Sequence, residues 1–312
     1  MCATLNRREF LLTPIAFPLI MPAAPRPVEK QTFRVGYAPE FGLRPNEQKF
    51  WTACDACNGL GFHYVETNNS GVKLVQAYAD RAAEFKEKMS KRNLTMMAFA
   101  VVSEMVAPNK RQKVIDENLQ VGRFLQAVGG KYINLIFDVQ GDPRLSRERL
   151  LQQLRKEDFQ RFADTANEVG NRLRSETGIH LGYHPEKYEV KARVVDRILE
   201  MTNPDYVDFL PDVGHITAGG GNPLEMYQKY RSRMIATHFK DWNPDLAWDR
   251  NEPGERGKFV ALGKGIVNFP ALVAFLRQTK FAGQVMVELD EQPNPKKEMK
   301  DYVVKKLGLS LA

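Results

Sequence analysis

The sequence predicts an α/β chain closed into a (β/α)8 TIM barrel, and two observations carry that expectation. Apolar runs rich in Val, Ile, Phe and Tyr alternate with amphipathic helical stretches, and the alternation repeats eight times. Each run is nearly continuous in its apolar residues, the pattern of parallel strands covered on both faces. The runs span residues 34–39, 62–67, 94–102, 132–139, 179–186, 207–212, 234–242 and 284–290. Helical stretches at 72–92, 111–128, 147–175 and 270–279 lie between them. Strict alternation calls for a parallel sheet with crossover helices, and eight units favour closure over the competing doubly wound open sheet. Asn222, Pro223 and Glu225 mark one helix start, as N-cap, first-turn proline and capping-box acid. A chain of 312 residues fits one such barrel, and no interior composition shift divides it, so the domain is expected over 30–312.

Composition narrows the function classes. Hydrophobic residues make up 43% and charged residues 27%, enough for a sizeable core under a charged surface. No charge-free apolar stretch reaches the length of a membrane helix, so stable membrane insertion is not expected. The net charge of +7 is spread along the chain without a basic run interleaved with aromatics, which argues against a nucleic-acid partner. Residues 1–25 read as an export segment. Asn6-Arg7-Arg8-Glu9-Phe10-Leu11 resembles the twin-arginine signature, and an apolar stretch and the small residues Ala23 and Ala24 follow. That reading makes the protein periplasmic; without a working signal it would be cytoplasmic. Cys54 and Cys57 form a CxxC with no second pair, which reads as two small helix residues rather than a redox or zinc motif.

Alternation along the strands gathers polar residues at one end of the barrel. Residues two apart share a face, so His180, Gly182, His184 and Glu186 align, as do Leu210 and Asp212. Ala236, His238 and Lys240 form the third such series, and Met286, Glu288 and Asp290 the fourth. In each the deep positions are small or apolar and the late ones ionisable, a pattern packing does not explain, because buried charge needs a partner or a metal. The candidate ligand set is Glu186 or His184, then Asp212, His238 and Glu288. Three carboxylates and an imidazole would suit Mn, Mg or Co, with Zn as a further option. Glu66 and Asp138 end the second and fourth strands and could face the same pocket. His63 and His180 sit earlier in their strands and read as core or rim residues. The long segment 243–265, rich in Asp, Asn, Pro and Gly, is a candidate lid.

At this point the chain resembles the xylose-isomerase-like barrel superfamily of sugar phosphate isomerases and epimerases, with a particular likeness to inosose dehydratase-like members. Gly182-Tyr183-His184-Pro185-Glu186, Asp212-Val213-Gly214-His215, the stretch from Ala218 to Pro223, His238-Phe239-Lys240-Asp241, Gly263-Lys264-Gly265, Val287-Glu288 and Pro293 carry it. The likeness covers the C-terminal half of the barrel, while the first four strands share only its rhythm. It implies metal ligation by Asp212, His238 and Glu288. Many relatives carry a Glu near the end of this strand, whereas dehydratase-like members read His-Pro-His. This chain has Glu186 where their second His stands, so the resemblance favours Glu186 as the fourth ligand and His184 as a substrate contact. It also implies that His215 touches substrate or metal. Lys240 can reach a hydroxyl or oxyanion, and Asp241 and Glu66 are further candidate substrate contacts.

These parts allow chemistry through a metal-stabilised enediolate, with Glu186 and Glu288 as the acid–base pair. Proton return to the opposite face gives an epimerase, return to the neighbouring carbon an isomerase, and loss of a β-substituent a dehydratase or lyase. The expected substrate is a sugar, keto-sugar or inosose, and a homo-oligomer remains open. The run Gly219-Gly220-Gly221 is a weak candidate phosphate cradle. Two other classes compete: a carbohydrate-binding barrel without turnover, and an endonuclease IV-like nuclease, for which five histidines are few.

Overall fold

A computed structural model of the chain describes residues 30–39, 47–67, 71–247, 255–290 and 296–311. The expected export segment lies outside the described residues. Residues 31–312 form one compact unit. Its strands are β1 (Arg34–Ala38), β2 (Tyr64–Thr67), β3 (Thr95–Ser103), β4 (Tyr132–Phe137), β5 (His180–His184), β6 (Val207–Phe209) and β7 (Ala236–Phe239). A short hairpin, β8 (Asp241–Asn243) and β9 (Lys258–Val260), precedes the last barrel strand, β10 (Gln284–Glu288).

Eight strands run parallel in the order β6-β5-β4-β3-β2-β1-β10-β7. The remaining seam, between β6 and β7, is bridged at Phe209–Met234 and Asp212–His238, so the sheet is a nearly closed barrel. Helices lie between the strands: α1 (Glu47–Gly59), α2 (Gly71–Ala77), α3 (Ala82–Lys91), α4 (Arg111–Val128), α5 (Arg147–Gln152) and α6 (Lys156–Thr177) in the first half. The second half carries α7 (Lys187–Lys191), α8 (Val195–Met201), α9 (Val213–Ala218), α10 (Pro223–Tyr230), α11 (Phe269–Gln278) and α12 (Lys297–Asp301). The outward strand residues, among them Val35, Ile133, Leu135, Leu181 and Val285, pack with the helices into the main core. Met97, Ala98, Tyr132, Leu210 and Ala236 form a separate small cluster inside the barrel. The barrel is thus plugged with apolar groups below its C-terminal mouth.

Several sequence expectations change in detail. The helix expected over 72–92 is two, α2 and α3, parted at Tyr78, whose ring turns inward onto Trp51 and Phe85. The stretch 147–175 also divides, because Asp158 accepts from the Arg155 amide and starts α6 there. The seventh run ends at Phe239, and the chain reverses through β8, which pairs antiparallel with β9. Part of the candidate lid is therefore a hairpin, and residues 248–254 lie outside the described residues. The start of α10 matches its expected signals, with Asn222 accepting from the amides of Leu224 and Glu225. Cys54 and Cys57 are free and buried in α1.

Candidate metal centre and active site

Four ionisable side chains meet at the C-terminal ends of β5, β6, β7 and β10. His184, Asp212, His238 and Glu288 each offer a ligand atom within 4.8 Å of all the others, and all four are buried. The backbone explains the meeting. His184 and Glu288 are the last residues of their strands, and Asp212 lies just past β6. The parallel bridge sets Asp212 beside His238, whose amide donates to the Pro211 carbonyl at 3.0 Å. A TIM barrel collects its functional groups on this face because the strand ends converge there.

Asp212 divides its two oxygens. Oδ1 accepts the His215 amide at 2.8 Å and so caps α9. Oδ2 is buried without a hydrogen-bond partner, 3.5 Å from His184 Nε2 and 3.8 Å from His238 Nδ1. Both ring nitrogens of His184 also lack a hydrogen bond. Leaving such groups buried and unsatisfied costs about 1–3 kcal/mol each, and a cation shared among them would remove that cost. The residues present therefore fit a divalent metal, with two imidazoles and two carboxylates giving a mixed nitrogen and oxygen donor set.

The fourth member of this group is His184 and not Glu186, the ligand favoured from sequence. Pro185 follows the end of β5, and Glu186, two residues past the last inward position, is already the N-cap of α7. Its carboxylate nonetheless stays in the field of the site. Burial works against its charge, but His215, His184, Arg147 and Lys240 outweigh that and hold its pKa below the usual range. Glu186 is an ionised carboxylate beside the candidate centre.

His215 and Lys240 complete the charged surround. The Lys187 amide donates to His215 Nδ1 at 3.1 Å, so a neutral ring carries its proton on Nε2. That nitrogen faces Lys240 Nζ at 3.2 Å. Burial and the Lys240 ammonium push His215 down to about 4, which keeps it neutral. Lys240 itself is held charged, against burial, by Asp290 at 2.5 Å and Glu288 at 3.1 Å. Two donors thus face each other with no acceptor between them, an arrangement suited to one oxygen placed to receive both. The Glu288 carboxyl is pulled below the usual carboxylate range, burial being outweighed by Lys240 and His238. Phe259 on β9 covers this pair, 4.7 Å from the His215 ring and 4.5 Å from Lys240 Nζ, with Trp242 behind it. Gly214 permits the close approach of α9, since a Cβ there would meet Lys240 at 2.8 Å.

Two expected substrate contacts have other work. Asp241 spends its carboxylate on backbone: Oδ1 accepts from Trp242 and Val267, and Oδ2 from Gly263 and Gly265 at 2.8 and 2.9 Å. It organises the turn after β9 instead of facing the pocket, because the chain reverses after Lys240. Glu66 lies deeper in the barrel and bonds Tyr132, Asn134 and His238. Asp138 pairs with Arg147, and His180 with Asp208 at 2.8 Å. His63 meets the Asn93 carbonyl at 3.1 Å. The amides of Gly219, Gly220 and Gly221 all donate to carbonyls of the preceding turn, so that run has no free donors for a phosphate. The covering aromatics Trp242 and Phe259, and the buried Glu189 whose Oε2 accepts from the Glu186 amide, had no sequence signal.

An inosose dehydratase of Geobacillus kaustophilus (strain HTA426) is 25% identical over 288 residues, spanning 84% of this chain and 88% of the relative. The crystal structure of an IOLI protein with a binding zinc atom superposes with a TM-score of 0.63 at 18% identity, covering 88% of this chain and 98% of that one. The 3-keto-D-glucoside 4-epimerase of E. coli gives 0.59 at 16% identity, with 89% and 100% covered. At these identities the solved structures speak for the fold. A model of the xylose isomerase-like TIM barrel family matches residues 54–304. The chain belongs to that family.

Proposed function

We propose that the protein is a metal-dependent enzyme acting on a keto-sugar or inosose by removing a proton next to a carbonyl, with dehydration or epimerisation as the outcome. The observation that carries this reading is the convergence of four buried donors, three of whose atoms lack partners, beside an ionised carboxylate and a facing pair of donors. A divalent cation held by His184, Asp212, His238 and Glu288 would polarise a carbonyl and its adjacent hydroxyl, making the neighbouring C–H acidic.

The chain's own groups supply the remaining steps. Glu186 carries the charge of a general base at neutral pH, since the burial of its carboxylate is outweighed by charged groups around it, Arg147 and Lys240 among them. His215 Nε2–H and Lys240 Nζ donate together to an oxygen on which negative charge develops, and because both are fixed by other bonds they need no rearrangement. Lys240 can pass a proton to a departing hydroxyl, and Asp290 and Glu288 then stabilise its reprotonation. Phe259 and Trp242 keep water from this side of the site. The dehydratase reading is supported by the inosose dehydratase relatives and the epimerase reading by the solved keto-sugar epimerase. An exported copy, as the twin-arginine-like segment suggests, would meet sugars outside the cytoplasm. The test is incubation of metal-loaded protein with inososes, keto-sugars and 3-keto-glycosides in D2O. Metal-dependent deuterium uptake at carbon is the expected result; no exchange with any of them while metal is bound would support a carbohydrate-binding barrel instead.

A further inference from the structure

We infer that Glu66 is a positioning residue for His238, acting from the far side of the barrel through a buried relay that also contains Tyr132 and Asn134. His238 Nε2 lies 3.1 Å from Glu66 Oε1, on the side of the ring opposite the donor group. The same oxygen accepts from Asn134 Nδ2 at 2.7 Å, and Oε2 accepts from the Tyr132 hydroxyl at 2.7 Å. All four side chains are buried. The register makes the relay possible. Tyr132 and Asn134 are two apart on β4 and share its inner face, Glu66 points inward from β2, and His238 reaches them from β7 on the other side of the ring.

The consequence follows from the two nitrogens of one ring. With a cation among the four donors, a carboxylate accepting at Nε2 would keep the proton there and leave Nδ1 as the lone-pair nitrogen; without one, Nδ1–H donates to Glu288 as well. Nδ1 is the atom that faces Glu288 at 2.7 Å and Asp212 at 3.8 Å. Three donors on one carboxylate also account for a buried charge that would otherwise be expensive at the centre of a barrel. Glu66 therefore sets which nitrogen His238 presents and how the ring is turned, without touching substrate.

This inference rests on the metal reading of the site, and the experiment separates the two. Full-length protein stripped with a chelator is titrated with Co2+, following visible absorption, for wild type, Glu66→Gln, Glu66→Ala and Tyr132→Phe. The melting temperature of each metal-free variant is recorded alongside. Glu66→Ala is expected to weaken Co2+ binding by about 10–100-fold. Glu66→Gln, which keeps the shape and an acceptor but loses the charge, weakens it less and alters the visible band, a change that a lowered metal-free melting temperature alone would not produce. Tyr132→Phe has the smallest effect in the same direction. Wild-type affinity and spectrum in Glu66→Gln would overturn the inference and leave the metal site standing. Wild-type protein that binds no Co2+ would overturn both.

Discussion

β7 and β10 carry His238 and Glu288 near their ends, whereas β3 and β4, across the ring, end in Ser103 and Phe137. The contrast extends over the two halves of the barrel. In β5, β6, β7 and β10 the late inward groups are ionisable, converge within 4.8 Å, and leave an imidazole and a carboxylate oxygen without partners. In the first half the inward polar groups bond mostly to one another, Glu66 to Tyr132 and Asn134. Among the described residues, the buried atoms left over there, Tyr37 Oη, Asn118 Oδ1 and Asn134 Oδ1, are neutral and belong to no such group. A buried charge without a partner is costly enough that it persists where something else is to bind it. In the proposed function one half of the barrel supplies the chemistry and the other holds it in place.

Four substitutions sharpen or break this division. The largest effect is expected from Glu288→Gln, which removes a donor and the partner of both His238 and Lys240. Turnover measured by deuterium uptake should fall by about 10²–10⁴-fold with the fold intact by circular dichroism. Undiminished exchange would move the chemistry elsewhere. Lys240→Met takes the ammonium from between Glu288 and Asp290. Breaking a buried ion pair from one side costs about 3–5 kcal/mol, so urea unfolding of metal-free protein should shift by that order. No shift would mean the cation serves catalysis alone.

Asp241→Asn tests a residue in the chemical half that has a purely structural part. An amide cannot accept from four backbone donors as a carboxylate does, so a loss of about 1–3 kcal/mol is expected. The amides of Gly263, Gly265 and Val267 should exchange faster with solvent. A raised KM with unchanged exchange would restore Asp241 as a substrate contact. The smallest effect concerns Glu189, whose pKa burial and then Glu186 raise well above the usual range. The folded state then binds more protons than the unfolded chain once the pH exceeds the unfolded carboxyl value. The contribution of this group is full below that value and is lost as pH rises through the folded pKa. Glu189→Gln, which mimics the neutral acid, should be neutral at pH 4 and stabilising at pH 8. A pH-independent difference in melting temperature would contradict the assignment.

Much of this was legible in the sequence because both periods are strict. Continuous apolar runs separated by helical periodicity located all eight barrel strands, and alternation pointed to Asp212, His238 and Glu288. Alternation also contained the answer for the fourth donor, since Pro185 ends β5 and leaves His184 as its last inward residue. Continuing the alternation past that proline made Glu186 look equivalent. Asp241 misled for a similar reason: the reversal after Lys240 is decided by pairing with β9, some twenty residues downstream, which no local pattern encodes. Glu66 needed knowledge of the opposite side of the ring. Contacts across a barrel join residues far apart in sequence, as 66 and 238 are, and short motifs do not span them.

The most direct measurement is anomalous scattering from a crystal of the protein soaked in Mn2+ or Co2+. One peak should lie among His184, Asp212, His238 Nδ1 and Glu288 at about 2.0–2.3 Å from each ligand atom, with His238 Nε2 still on Glu66. A peak bound by Glu186 in place of His184, or no peak at the mouth of the barrel, would contradict the account.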